Sequence, residues 1–218
     1  MQSGEKIIDC YNKTADEYAR IFINELVNKP FDRMILRNFA EENKNKGAVA
    51  DLGCGPGQTT KFLKECGVKK ITGIDISPDM VIKASSLHKG LKFETGDILK
   101  LKYDDESFSS ALAFYSIVHF TYKQVTRAFS EINRVLRDKG QFLFSFHTGN
   151  GNIHRDNFLN ESVDIDFYFF ETEKILRLLK KSGFHVITAA ERYPYENTEY
   201  PSKRAYILAE KQKTHLNK

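Results

Sequence analysis

The sequence predicts a doubly wound α/β fold on a mostly parallel sheet, and three observations carry that prediction. Short apolar runs at 48–52, 71–75, 91–97, 109–116 and 141–147 alternate with segments of helical periodicity. The first run passes at once into a glycine-rich turn, GCGPG at 53–57, where a helical pattern takes over near Pro56. Two further apolar runs, 183–191 and 203–210, follow a last helical segment and bring the expected strands to seven. Strands separated by helices at this spacing are joined by crossovers and lie parallel.

Residues 5–40 read as helical, with Ile7, Ile8, Tyr11, Ala15 and Tyr18 near helical spacing and a break at Pro30. The polar stretch Glu41 to Gly47 separates them from the first strand, AVADL. ITGID (71–75) is the second strand, and Pro78 to Leu87 a helix with Ser77 as its N-cap and proline at its first position. LKFETGD (91–97) and SSALAFYS (109–116) are the next strands. Tyr122 to Leu136 is an amphipathic helix, and the turn Asp138 to Gly140 leads into QFLFSFH (141–147). Residues 148–170 read as a long connection that ends in the aromatic cluster FYFF (167–170). Glu171 to Ser182 is a helix, and the last two strands are joined by RYPYENTEYPS.

Composition narrows the class. With 218 residues, 41% hydrophobic and 28% charged, the chain is expected to form one domain with a real core. No apolar run approaches the ~20 residues of a membrane span, and the N-terminus MQSGEKIIDC lacks a signal pattern, so the expected compartment is the cytoplasm. Cys10, Cys54 and Cys66 have neither zinc-site nor disulfide spacing; they read as free thiols, and no metal is expected. The net charge of +4 is spread along the chain among Asp and Glu, which describes a solvated surface better than a nucleic-acid face.

In an open parallel sheet the ligand crevice lies beyond the carboxyl ends of the strands, where strand order reverses. The loop Gly53 to Gly57 belongs there, because glycine lets the backbone approach a ligand and take positive φ. By itself such a loop suits any nucleotide. Asp75, ~20 residues further on at the end of the second strand, is placed to accept from both ribose hydroxyls. Gln58 stands where a dinucleotide fingerprint needs its third glycine. Asp51, inside the strand end, suits a cationic ammonium or sulfonium better than a pyrophosphate.

These segments resemble the class I S-adenosylmethionine-dependent methyltransferases. VADLGCGPGQTT (49–60) resembles their first motif, GIDISPDM (73–80) their acidic ribose-binding segment, ETGDILKL (94–101) the segment carrying an adenine-binding Asp, and FYSIVHF (114–120) their fourth-strand motif. The Tyr11, Ala15, Tyr18 pattern is similar to the helical lead-in of small-molecule members. The resemblance covers about residues 8 to 147.

It implies a Rossmann-like seven-stranded sheet with an antiparallel last strand, helices on both faces and an N-terminal helical cap. The chain would be organised as cap (1–46), cofactor-binding core (47–147) and substrate-side connection with C-terminal strands (148–218). The cofactor would be S-adenosyl-L-methionine, leaving as S-adenosyl-L-homocysteine. Asp51, Gly53, Cys54, Gly55 and Gly57 would hold its methionine part, with Tyr11 and Tyr18 reaching its carboxylate. Asp75 would take the ribose, Ile76 and Met80 the adenine faces, and Gly96, Asp97 and Ile98 the adenine edge. Tyr115 and Ser116 would border the cofactor from the fourth strand.

Methyl transfer from sulfonium is an in-line displacement, so the protein mainly supplies alignment and dryness. A base is needed only where the acceptor must lose a proton, and His119 and His147 are the candidates. His88, His185 and His215 are given no role, and His154 stays open. The connections 148–170 and 192–202 are expected to shape the acceptor pocket, with Tyr193, Tyr195, Tyr200 and the 167–170 aromatics as walls. A small-molecule acceptor is favoured. The fourth strand reads AFYS, without the prolines of amino-methylating nucleic-acid enzymes, and there is no Pro-Cys nucleophile. An RNA or protein acceptor, a nicotinamide-dependent oxidoreductase and a cofactor-binding module without turnover remain alternatives. The oligomeric state is not expressed in the sequence.

Overall fold

A computed structural model describes residues 4–213; His215 lies outside them. The chain opens with helix α1 (Gly4–Phe22), a single 3-10 turn (Glu25–Asn28) and helix α2 (Pro30–Asn43). The helical break falls after Phe22 rather than at Pro30. Proline there begins α2, where its missing N–H would have no intrahelical partner in any case. The remaining elements are β1 (Ala48–Leu52), α3 (Gln58–Glu65), β2 (Lys70–Asp75), α4 (Pro78–Leu87), β3 (Lys92–Thr95), β4 (Phe108–Phe114), α5 (Tyr122–Val135) and β5 (Leu136–His147). The hairpin β6 (Asn152–Phe158) and β7 (Glu161–Tyr168), α6 (Thr172–Lys181), β8 (Phe184–Arg192) and β9 (Arg204–Lys211) complete the chain.

Seven strands form one sheet in the order β3-β2-β1-β4-β5-β9-β8. The first five are parallel, and β9 runs antiparallel to both of its neighbours. Strand order reverses beside β1, which pairs with β2 through Val49–Ile71 and with β4 through Val49–Ser110. The crevice is therefore expected at the carboxyl ends of β1 and β4. Successive side chains on the buried strands enter opposite layers. Phe142 and Phe144 of β5 pack with Phe129 of α5 and Leu179 of α6, whereas Leu143 packs with Leu36 and Phe39 of α2 and Leu63 of α3. Helices thus cover both faces, and each fully buried Leu or Phe contributes about 1.5–3 kcal/mol of transfer free energy.

Two caps fall where the sequence placed or permitted them. The Ser77 hydroxyl accepts from the Met80 amide, with Pro78 opening α4. Thr121 and Gln124 form a capping box at the start of α5.

Residues 148–170 are not an irregular connection. They contain the β6–β7 hairpin, a separate two-stranded sheet whose turn residues Leu159 and Asn160 both have positive φ, 52° and 67°. A two-residue turn of this hand is normally announced by Asn-Gly or Asp-Gly, and leucine at its first position carries no such signal. In the hairpin Ile153 stands opposite Phe167 and Arg155 opposite Ile165; the register then shifts at a bulge so that Asn157 stands opposite Ser162, and Val163 and Ile165 pack on Cys10 of α1.

Candidate active site

A cavity of about 500 Å³ opens at the carboxyl ends of β1 and β4 and is roofed by α1, the hairpin and the loop after β8. Its size lies within the range of ligand-binding clefts. The glycine loop forms part of its wall. Gly53 (φ 72°) admits nothing larger than hydrogen, because a Cβ there would stand 2.3 Å from the Ser116 Cβ. Gly55 (φ 52°) has open space before it, with only Tyr18 within reach at 3.9 Å.

Two glycines expected against the cofactor, Gly57 and Gly96, are not among the residues that line the cavity. Gly57 is the left-handed N-cap of α3, and a Cβ on it would meet Phe93 and His88, outside the cavity wall. Gly96 faces Ile74 instead, at 2.8 Å for a built Cβ. Both are required by packing between neighbouring strands and helices. The other sequence candidates all border the cavity: Tyr11, Tyr18, Asp51, Cys54, Asp75, Ile76, Met80, Asp97, Ile98, Tyr115, Ser116, His119 and His147.

Three carboxylates stand on the wall built by β1, β2 and the exit of β3. Asp75 accepts from the Gly55 amide at 2.8 Å and the Ser77 amide at 2.9 Å, so it ties the glycine loop to the start of α4. Burial raises its pKa despite those bonds. Asp51 accepts from the Thr60 hydroxyl at 2.6 Å and is pushed up to about 7, chiefly by burial, with the nearby charge of Asp75 adding to it. Asp97 accepts from the Leu99 amide at 2.8 Å. Among the described residues none of the three has a cationic partner.

The two histidines differ in what they leave free. His119 Nδ1 lies 2.9 Å from the Asp166 carbonyl oxygen, which can only accept, so this nitrogen carries the proton. Nε2 then accepts from the Tyr11 hydroxyl at 2.7 Å, and both ring nitrogens are engaged within the protein. His147 Nδ1 is 2.8 Å from the Ser202 hydroxyl, while its Nε2 makes no hydrogen bond among the described residues. Burial lowers both rings to about 4, with Arg204 and Lys29 adding to the effect at His147, so both are neutral at pH 7. Tyr115, at φ 56°, turns its hydroxyl away to Tyr206 and Asp32 and offers the cavity its ring, 5.5 Å from His147.

Residues 49–140 match the family profile of the methyltransferase domain. Residues 49–140 thus carry a methyltransferase domain, over less than half of the 218 residues. It is 26% identical over 206 residues to an uncharacterized protein of Methanocaldococcus jannaschii, covering 83% of this chain and 77% of that one. It is 33% identical over 97 residues to the malonyl-[acyl-carrier protein] O-methyltransferase of Erwinia billingiae, covering 44% of this chain and 38% of that one. The match to the latter thus spans well under half of the relative's length. The magnesium protoporphyrin IX methyltransferase of Synechocystis PCC 6803, solved with bound SAM, shares the fold with a TM-score of 0.72. It does so at 18% identity, over 97% of this chain and 98% of that one.

Opposite the glycine loop, the second wall is held in place by charged residues that the sequence did not single out. The Arg192 guanidinium bonds Asp32 at 2.7 Å and Glu199 at 2.6 and 2.8 Å, and Arg204 lies 3.3 Å from Glu199. This buried network clamps the loop after β8 to α2 and brings Thr198 and Tyr200 onto the cavity. The FYFF cluster splits. Phe167 and Phe169 line the cavity, while Phe170 is core. Tyr193 is 74% exposed, and the Tyr195 hydroxyl accepts from the Phe31 amide, so of the three loop tyrosines only Tyr200 is a wall. No local signal marks Asp32 as the partner of Arg192, 160 positions away. Of the histidines set aside or left open, His88 lies against the Pro56 carbonyl and His154 bonds Asp156 and Asp166 on the outer hairpin face. Among the described residues no helix is long and apolar enough to cross a membrane.

Proposed function

We propose that the chain binds S-adenosyl-L-methionine along the wall of Asp51, Asp75 and Asp97 and transfers its methyl group to a small-molecule acceptor held beneath the hairpin and the loop after β8. The observation that carries this reading is the row of three carboxylates, without cationic partners among the described residues, beside a glycine loop that leaves Gly55 open. A nucleoside bearing positive charge satisfies that wall, whereas a pyrophosphate would be repelled by it. When bound, the cofactor supplies an electrophilic methyl on a positively charged sulfur.

The chain's own part is to bind, align and dry the reactants. Asp75 retains lone pairs for ribose hydroxyls beyond the two amides it holds. Met80, Ile76 and Ile98 provide apolar contact for a base, and Asp97 stands beside them as an acceptor. Phe167, Phe169 and Tyr200 exclude water from the acceptor region. Where the acceptor must shed a proton, His147 Nε2 is the group that can take it, since both nitrogens of His119 are occupied. His119 is assigned instead to holding Tyr11 over the cavity. Cap, core and C-terminal strands act in this reading as one unit.

Calorimetry with S-adenosylmethionine, S-adenosylhomocysteine and NAD tests the first half. The sulfonium ligand and its product are expected to bind and NAD is not; the reverse pattern overturns the reading. Asp75→Ala should weaken cofactor binding by about 1–3 kcal/mol through lost charge-assisted hydrogen bonds. Methyl transfer from labelled cofactor to a metabolite pool, with mass identification of the product, tests the second half.

A further inference from the structure

The charges on the cavity wall divide by location. Among the described residues Asp51, Asp75 and Asp97 stand without cations on the wall from β1, β2 and β3. Across from them, the cations of the cap and C-terminal strands are neutralised, Lys29 by Glu25 at 2.5 Å and Arg204 by Glu199 at 3.3 Å. Arg155 of β6 is different. It stands opposite Ile165 in the hairpin and borders the cavity together with Ile153, Asn157, Phe158 and Phe167. Three acids of the hairpin stand on the other face and have partners there: Asp156 and Asp166 bond His154, and Asp164 pairs with Lys6; Glu161 lies at the turn, opposite Phe158. Among the described residues Arg155 makes no hydrogen bond or ion pair. Its exposed side chain borders the cavity with Asn157 beside it.

From this arrangement we propose that the acceptor carries an anionic group, a carboxylate or a phosphate, which Arg155 binds at the cavity mouth with Asn157 as a neighbouring donor. The inference rests on the reading above, in which the acidic wall takes the positively charged cofactor. One wall of uncompensated acids and one unpaired guanidinium orient a ligand pair in which one member is cationic and the other anionic. The planar fork of arginine matches the two oxygens of either anion, which a lysine ammonium does not. Phe158 and Phe167 border the same cavity as Arg155 and offer apolar contact to the rest of such a ligand.

The test is binding of matched probes, 4-hydroxybenzoate against 4-hydroxybenzamide and phenyl phosphate against phenol, measured by calorimetry on the full chain with and without S-adenosylhomocysteine. The anionic member of at least one pair is expected to bind about tenfold or more tightly than its neutral partner, and the pair that shows it tells carboxylate from phosphate. Arg155→Ala should abolish the preference, Arg155→Lys should retain part of it, and neither should change the affinity for S-adenosylhomocysteine. Equal binding within both pairs, no binding of any probe, or a preference that survives Arg155→Ala overturns the proposal. Failure of S-adenosylhomocysteine to bind overturns the cofactor reading instead, and an Arg155-dependent preference in its absence would still stand.

Discussion

The Tyr11 hydroxyl donates to His119 Nε2 at 2.7 Å and so fastens α1 to the segment that follows β4, across the top of the cavity. The same ring donates through Nδ1 to the Asp166 carbonyl of β7. One buried imidazole therefore joins the cap, the core and the hairpin. Tyr11→Phe leaves Nε2 buried without a donor, and the expected cost is about 1–3 kcal/mol of unfolding free energy. Urea denaturation measures it, and hydrogen exchange should show α1 opening first. An unchanged midpoint would mean that the cap is held by its apolar contacts alone.

His119 also sets a pH dependence. Its folded pKa, about 4, is depressed below the ordinary imidazole value of roughly 6.5, so the unfolded chain binds the proton more readily than the folded one. The stability contributed by the neutral ring is complete above about pH 6.5 and is lost as pH falls toward 4, by on the order of 3 kcal/mol. Asp51 works with the opposite sign, since its raised pKa makes protonation favourable to the folded chain. The difference in unfolding free energy between wild type and His119→Asn, followed from pH 7 to pH 4, isolates the histidine. A difference that does not change over this range would contradict a buried neutral ring.

Asp51 is expected to report on the charge of the ligand. Without ligand its pKa is pushed up to about 7, and a cation placed beside it favours the carboxylate. Cofactor binding near pH 6 should therefore release a proton, and affinity should rise with pH between about 5 and 8, by up to about tenfold per pH unit. Calorimetry in buffers of different ionisation enthalpy counts the proton. Asp51→Asn is expected to remove the pH dependence, and proton uptake in the wild type would place no cation at this carboxylate.

The glycines of the loop should separate folding from binding. Gly53→Ala drives a methyl into Ser116, with 2.3 Å between carbon atoms, and should destabilise the chain by about 1–3 kcal/mol as an overpacked site. Gly55→Ala meets open space and costs only the left-handed backbone, about 1 kcal/mol, while its methyl projects toward the cavity. Thermal unfolding should rank Gly53→Ala as the less stable. Gly55→Ala should lose cofactor affinity with the fold intact, and equal loss of stability in both would refute the distinction.

Local chemistry was sufficient for much of the fold. The run AVADL, the turn GCGPG, the Ser77–Pro78 helix start and the acids at Asp51, Asp75 and Asp97 are legible because strand burial, turn φ and capping are decided within a few residues. Seven strands and their alternation with helices followed from hydrophobic period alone. The β6–β7 hairpin was not legible, since Leu159 occupies a turn position whose usual residues are absent.

What the sequence by itself determined is therefore the α/β sheet, the glycine turn and the acids that border the ligand wall. Only the tertiary structure decided which side chains face that wall and which nitrogens and charges remain free. It turned Gly57 and Gly96 into packing contacts, engaged both nitrogens of His119 and paired Arg192 with Asp32, while among the described residues His147 Nε2 and the Arg155 guanidinium keep no partner. The physical reason is that secondary structure answers to near neighbours in the chain. The direction and pairing of a side chain answer instead to partners brought close by packing, such as His119 for Tyr11, 108 positions away.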